Sequence, residues 1–229
     1  MYRTSLKLLL CAALLGPCVT LAAPAAERES APELVEEAEE YALEGDFEAA
    51  LPLYEKAIAA LASEPRKQQQ LRYRYGIVLN ALGGQARPDL YPLARAQFEA
   101  VLDYIEEGAS LEHSAARVRS ALAHTYHQQA ASEETPTKVL LLRNAYSLYS
   151  TAAQDLAQER QWHNLAITYF NLGQVCEWQG NLEEAIDWLE KAVALDARHG
   201  FADLEEDRQY LTALRQQANP TLVSDTTSL

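Results

Sequence analysis

His124 and His127 stand three residues apart in a stretch with helical rhythm. Both imidazoles would share one helix face. That is half of a metal site, because zinc takes three or four protein ligands. His113 and His163 have no spacing that would add them to the pair. The acidic clusters Glu36-Glu37 with Glu39-Glu40, and Glu205-Glu206-Asp207, offer carboxylates without an apolar setting that would poise one as a proton donor. They read as solvated faces. Cys176 falls on an inward helical position, whereas thiol catalysis needs an exposed thiolate beside a His. It reads as a small buried apolar residue. The sequence holds no Gly-rich phosphate loop, no nucleophile elbow and no His-Glu-x-x-His helix. No catalytic, metal-binding or cofactor-binding residue is expected, and no cofactor. Trp162, Trp178 and Trp188 remain, as packing residues or as anchors for a partner.

These residues sit in a helical frame. Between Ala166 and Ala197 the spacing predicts two helices joined by Gln179-Gly180-Asn181. Leu182, Ala185, Ile186, Leu189, Ala192 and Val193 follow the i, i+3, i+4, i+7 rhythm of an amphipathic helix. Gly180 suits a helix end with positive φ. Gly173 and Ala185 are small enough to let the two helices approach closely. A hairpin of this kind leaves an apolar face open and must stack on a neighbour. A second such pair spans Leu34 to Ala62. Between them the second helices set the register: Ala50, Ala94, Ala145 and Ala185 follow one another at steps of 44, 51 and 40 residues. First helices are expected over 71–82 and 112–129, second helices over 91–106 and 138–158, and a polar cap helix over 201–217. Gly83 to Pro88 reads as an inserted loop.

Tyr169, Leu172, Gly173, Gly180, Ala185, Leu189 and Ala192 carry a spacing that resembles the tetratricopeptide repeat. Cys176 replaces the family's Tyr, and Ala197 stands where Pro is preferred. Leu34, Ala38, Tyr41, Gly45, Ala50, Tyr54 and Ala57 repeat the pattern. The resemblance implies an all-α, right-handed α-solenoid of about four TPR-like helix pairs with a C-terminal capping helix. It also implies that the first helices line a concave groove. Matching positions are Val35, Glu39, Tyr73, Ile77, Asn80, Arg117, Ser120, His124, His127, Phe170, Gln174, Glu177 and Trp178. Trp188 would face outward on a second helix. Some family members hold a partner's terminal carboxylates with a Lys/Asn/Arg clamp. Val35 and Glu39 stand where that clamp would begin, so chaperone-tail binding is not expected.

The whole chain has 229 residues, 48% of them hydrophobic and 23% charged, with a formal net charge of -14. That balance argues against nucleic acid and anionic lipid. It suits solubility, and it is compatible with a basic partner. Residues 1–25 read as a signal peptide: Arg3 and Lys7, then the apolar run from Leu8 to Leu21, then Ala23-Pro24-Ala25. The run is too short to span a bilayer, and no transmembrane span is expected once it is removed. Residues 26–32 read as a linker, 33–218 as the repeat domain and 219–229 as a disordered tail. The expected protein is an exported, periplasmic, non-enzymatic adaptor or scaffold of the bacterial cell envelope that binds a peptide or helix of another protein. The alternative is an outer-membrane lipoprotein anchored through Cys18, acting as an assembly factor for a secretin, a pilus or an outer-membrane protein complex. Oligomeric state is left open.

Overall fold

Ser30 starts the first helix, α1 (Ala31–Glu44). The Glu33 carboxylate accepts from the Ser30 N–H and Oγ, each at 2.8 Å, which holds its carboxyl below the usual range. The fold comes from a computed structural model that describes residues 30–85 and 87–219. The expected signal peptide, most of the linker and all of the tail beyond Asn219 lie outside the described residues. Ala31 and Pro32 form the first turn of α1, so the linker reading gives way there. Proline fits that turn because its missing N–H has no helical acceptor.

Gly45, at φ 82°, ends α1, and Asp46 opens α2 (Phe47–Ala60) by accepting from the Ala49 N–H at 3.2 Å. Then follow α3 (Pro65–Gln85), a 3-10 turn at Pro88–Leu90, α4 (Tyr91–Glu106), α5 (Ala115–Ala131) and α6 (Thr137–Gln158). The chain continues with α7 (Trp162–Trp178), α8 (Leu182–His199) and α9 (Leu204–Ala218). Among the described residues there are nine α-helices and no strand.

Four hairpins form: α1 with α2, α3 with α4, α5 with α6, and α7 with α8, each packed on the next. The expected register is the packing register. Ala50, Ala94, Ala145 and Ala185 are all 0% exposed, and four residues on stand the buried Tyr54, Phe98, Tyr149 and Leu189. Small residues bring the backbones together; Phe98, Tyr149 and Leu189 fill the space inside their own hairpins, and Tyr54 stacks on Tyr75 of the next one. Full burial of a side chain such as Phe98 contributes about 1.5–3 kcal/mol. Gly173 has no room for a side chain: a Cβ there would lie 2.7 Å from Leu189 Cγ and 3.1 Å from the Ala185 carbonyl oxygen.

The expected loop from Gly83 shrinks. Helix α3 runs through Gly84 to Gln85, because Gly83 serves close approach rather than a turn. A Cβ on it would lie 2.6 Å from the Tyr91 ring. The third first helix starts at Ala115, where Ser114 accepts from the Arg117 N–H at 3.4 Å, so His113 precedes it. The cap helix starts at Leu204 and leaves Phe201 outside, its ring against His163 and His199. No helix among the described residues is long and apolar enough to cross a membrane.

The first helices form a row of their own. In its centre α3 touches α5 and α5 touches α7. At the ends, α1 makes little or no backbone contact with α3, and α9 little or none with α7. The row is therefore closed in the middle and parted at both ends.

Candidate functional site

Side chains close the middle of the row. Ser120 of α5 and Thr168 of α7 share a hydrogen bond at 3.0 Å. The Arg117 guanidinium lies 6.0 Å from the centre of the Tyr73 ring. That ring also packs on Phe98 at 5.8 Å and His113 at 4.1 Å. Three of the residues expected in the groove are buried as a result: Tyr73, Asn80 and His127. Tyr73 and His127 pack against the next repeat, whereas the Asn80 amide has no hydrogen-bond partner among the described residues. His127 is 0% exposed, both ring nitrogens lack a hydrogen-bond partner, and burial pushes its pKa down to about 3. It is a neutral ring between Trp178, 4.5 Å away, and Tyr149. His124 Nδ1 meets the Tyr149 hydroxyl at 3.3 Å. Among the described residues no group of three or more His, Cys, Asp or Glu could hold a metal ion.

Trp178 departs from the row as well. Its half-buried ring sits at the end of α7 in a cleft of about 570 Å³ with Lys138, Arg143 and Tyr146 of α6 and Glu184 of α8. The Lys138 ammonium stands 5.5 Å over it. Trp188 does not face freely outward. Its ring packs at 5.4 Å on Tyr169, with the Lys191 ammonium 3.6 Å above it. Cys176 is fully buried, and burial pushes its thiol pKa up to about 12.

The remaining expected residues are at least partly exposed: Val35, Glu39, Ile77, Arg117, Ser120, His124, Phe170, Gln174 and Glu177. They gather most clearly at the two partings. Between α1 and α3 lies an apolar depression of about 480 Å³, walled by Ala42, Leu43, Phe47, Tyr73 and Ile77. Leu43 is 89% exposed and Ile77 45%, large values for side chains that water disfavours. An ion pair between Glu39 and Arg74 spans the parting at its rim. Val35 lines a smaller hollow of about 300 Å³ beside Leu71 and Arg74.

Between α7 and α9 the wall is different. Phe170 packs at 5.2 Å on Tyr210, whose hydroxyl donates to Glu177 across the parting. Below them lies a hollow of about 220 Å³ lined by Ile167, Phe170, Asp196, Asp203, Glu206 and Asp207. On α9 the buried residues are Asp207, Leu211 and Leu214. Sequence reasoning missed Asp196 and Asp207. Their signal is legible in hindsight, since each is a carboxylate on a helical apolar stripe. Asp196 continues Leu189 and Ala192, and Asp207 precedes Leu211 and Leu214.

Residues 142–198 match the family profile described as Tetratricopeptide repeat. That span covers most of α6 and all of α7 and nearly all of α8, the stretch whose spacing carries the resemblance most fully. The chain is similar in fold to the crystal structure of BtubC (BKLC) from P. vanneervenii, with a TM-score of 0.61 and 21% sequence identity, over 82% of this chain and 72% of that one. No curated protein matches the chain. Repeats of this kind build extended surfaces for protein–protein interaction. Hairpins with small residues at the crossing stack in one register along the chain, and residues 142–198 of it match the tetratricopeptide repeat.

Proposed function

We propose that this protein is a non-enzymatic adaptor that holds a peptide or helical segment of another protein along the face of its first helices. The observation that carries this reading is the depression between α1 and α3, where Leu43 and Ile77 stay exposed beside buried Tyr73. A preformed apolar hollow with a charged rim suits an amphipathic segment, which fills it with a few apolar anchors and keeps polar register contacts at the edge. The test is Ile77→Arg, with partner captured from the native host and affinity measured by calorimetry. The expected loss is about 1–3 kcal/mol of binding, with stability changed by less than about 0.5 kcal/mol. Unaltered affinity would contradict the reading.

In the same proposal the adaptor works in the cell envelope after export. Support comes from the sequence of residues 1–25: a basic start, an apolar run and a small-residue cleavage motif. N-terminal sequencing of protein from its native host is expected to start near Ala26. A chain starting at lipidated Cys18 would select the outer-membrane assembly factor instead.

A further inference from the structure

The hollow between α7 and α9 has four carboxylic acids and two apolar side chains on its wall, and no basic residue. Asp203 has a counter-group, His163 Nε2 at 2.9 Å. Asp196 has none. It is 0% exposed, and among the described residues no N–H or hydroxyl donor reaches either carboxylate oxygen, which leaves a protonated Asp207 carboxyl to donate to it. Its neighbour in the hollow is the carboxyl of Asp207, itself only 6% exposed. The acids at the start of α9 have a local explanation, since a helix N-terminus favours negative charge. Asp196 has the opposite setting. It lies in the last turn of α8, at the negative end of that helix's dipole, on a stripe that otherwise carries Leu and Ala. A buried carboxylate whose one donor is another acid's proton is left without a partner once that proton leaves, which is costly.

We propose that this hollow receives the ammonium or guanidinium head of a lysine or arginine side chain from the bound partner. The proposal rests on the reading of the first-helix face as a binding surface, and it names one chemical requirement of what binds there. Asp196 and Asp207 form the floor and supply the acceptors. Ile167, 42% exposed, and the half-buried Phe170 form an apolar wall for the methylene stem. A metal ion fits less well, because no group of three or more His, Cys, Asp or Glu among the described residues is arranged to hold one. The formal net charge of -14 draws a basic segment toward this surface. Burial, and then the carboxyls of Asp196, Asp203 and Glu206, push the Asp207 pKa up to about 7, so at acid pH a proton takes the place of the cation. Asp196 on α8, Asp203 just before α9, Glu206 on α9 and His163 on α7 are the titratable groups that face the pair. Cation binding therefore tightens as pH rises past about 7.

The experiment is a nitrogen-15 NMR titration of the protein with three acetylated, amidated tripeptides, alanine-X-alanine, where X is lysine, arginine or norleucine. A parallel titration uses calcium chloride alone. The lysine and arginine peptides are expected to shift the amides of Ile167, Phe170, Asp196 and Asp207, and the norleucine peptide to leave them unmoved. Asp207→Asn, and separately Glu206→Gln, should weaken the lysine peptide about tenfold and about threefold, with each variant's melting curve showing an intact fold. Equal shifts from norleucine, unchanged affinity in both variants, or saturable calcium binding at these amides without a lysine response would each overturn the proposal. A missing lysine response while Ile77→Arg still weakens partner binding would overturn this hollow alone. A lysine response with partner binding indifferent to Ile77→Arg would overturn the wider face reading alone.

Discussion

The two partings in the row of first helices have the same origin and opposite chemistry. Between α1 and α3 the wall is Leu43, Phe47, Tyr73 and Ile77. Between α7 and α9 it is Asp196, Asp203, Glu206 and Asp207 with Phe170 and Ile167. Each parting opens where neighbouring helices of the row make little or no backbone contact, and each is spanned by a polar contact, Glu39 to Arg74 at one end and Tyr210 to Glu177 at the other. Stacking decides where a hollow forms, and a few side chains decide what it can hold.

The largest effect separates core from hollow. Phe98→Ala empties the contact of α4 with Tyr73 and Gly76 of α3 and should cost about 3–5 kcal/mol in chemical denaturation, whereas Ile77→Ala should cost less than about 1 kcal/mol. Equal costs would mean that the α1/α3 hollow is packed core, and the comparison would fail.

The acidic end should also write itself into the pH dependence of stability. Burial and the neighbouring carboxyls raise Asp207 from the ordinary aspartate pKa of 3.8 to about 7 in the folded protein. Between those values the folded state holds a proton that the unfolded state has released, so stability falls as pH rises through that window and levels off above it. Asp207→Asn should flatten this slope and raise stability at pH 8 by roughly 1–2 kcal/mol, allowing for the water that still reaches the carboxyl. A wild-type melting temperature that instead climbs across the window would contradict the paired-carboxyl geometry.

The two rim contacts differ in a smaller way. Tyr210→Phe loses a hydrogen bond to a carboxylate and should cost about 1 kcal/mol. Arg74→Gln breaks an ion pair whose partners are 46% and 35% exposed, and should cost about 0.5 kcal/mol or less. Thermal melts of both variants at matched salt compare them. The reverse ranking would make the N-terminal parting the more firmly held.

Much of the fold is legible in the sequence because it depends on contacts within a hairpin. The Ala50, Ala94, Ala145 and Ala185 register follows from helical periodicity, and Gly173 announces a close crossing. Contacts between hairpins are less legible. His127 and Tyr73 match groove positions on their own helices, yet the next repeat covers them, and one helix's periodicity says nothing of what a neighbour covers. Gly83 and Gly84 resemble a turn until Tyr91 is placed against Gly83. Asp207 passes for one more charge in Glu205-Glu206-Asp207, and its burial appears only once α9 docks on α8.

The central claim is that partners bind on the face of the first helices. Site-specific photocrosslinking tests it most directly, with a photoreactive residue placed at Ile77 on α3 and, in a second protein, at the exposed Asp187 on α8. Both are incubated with the partner that co-purifies from the native host. The account predicts a crosslinked product from position 77 and little or none from position 187. A product from position 187 with none from position 77 would place the binding surface on the second helices and contradict it.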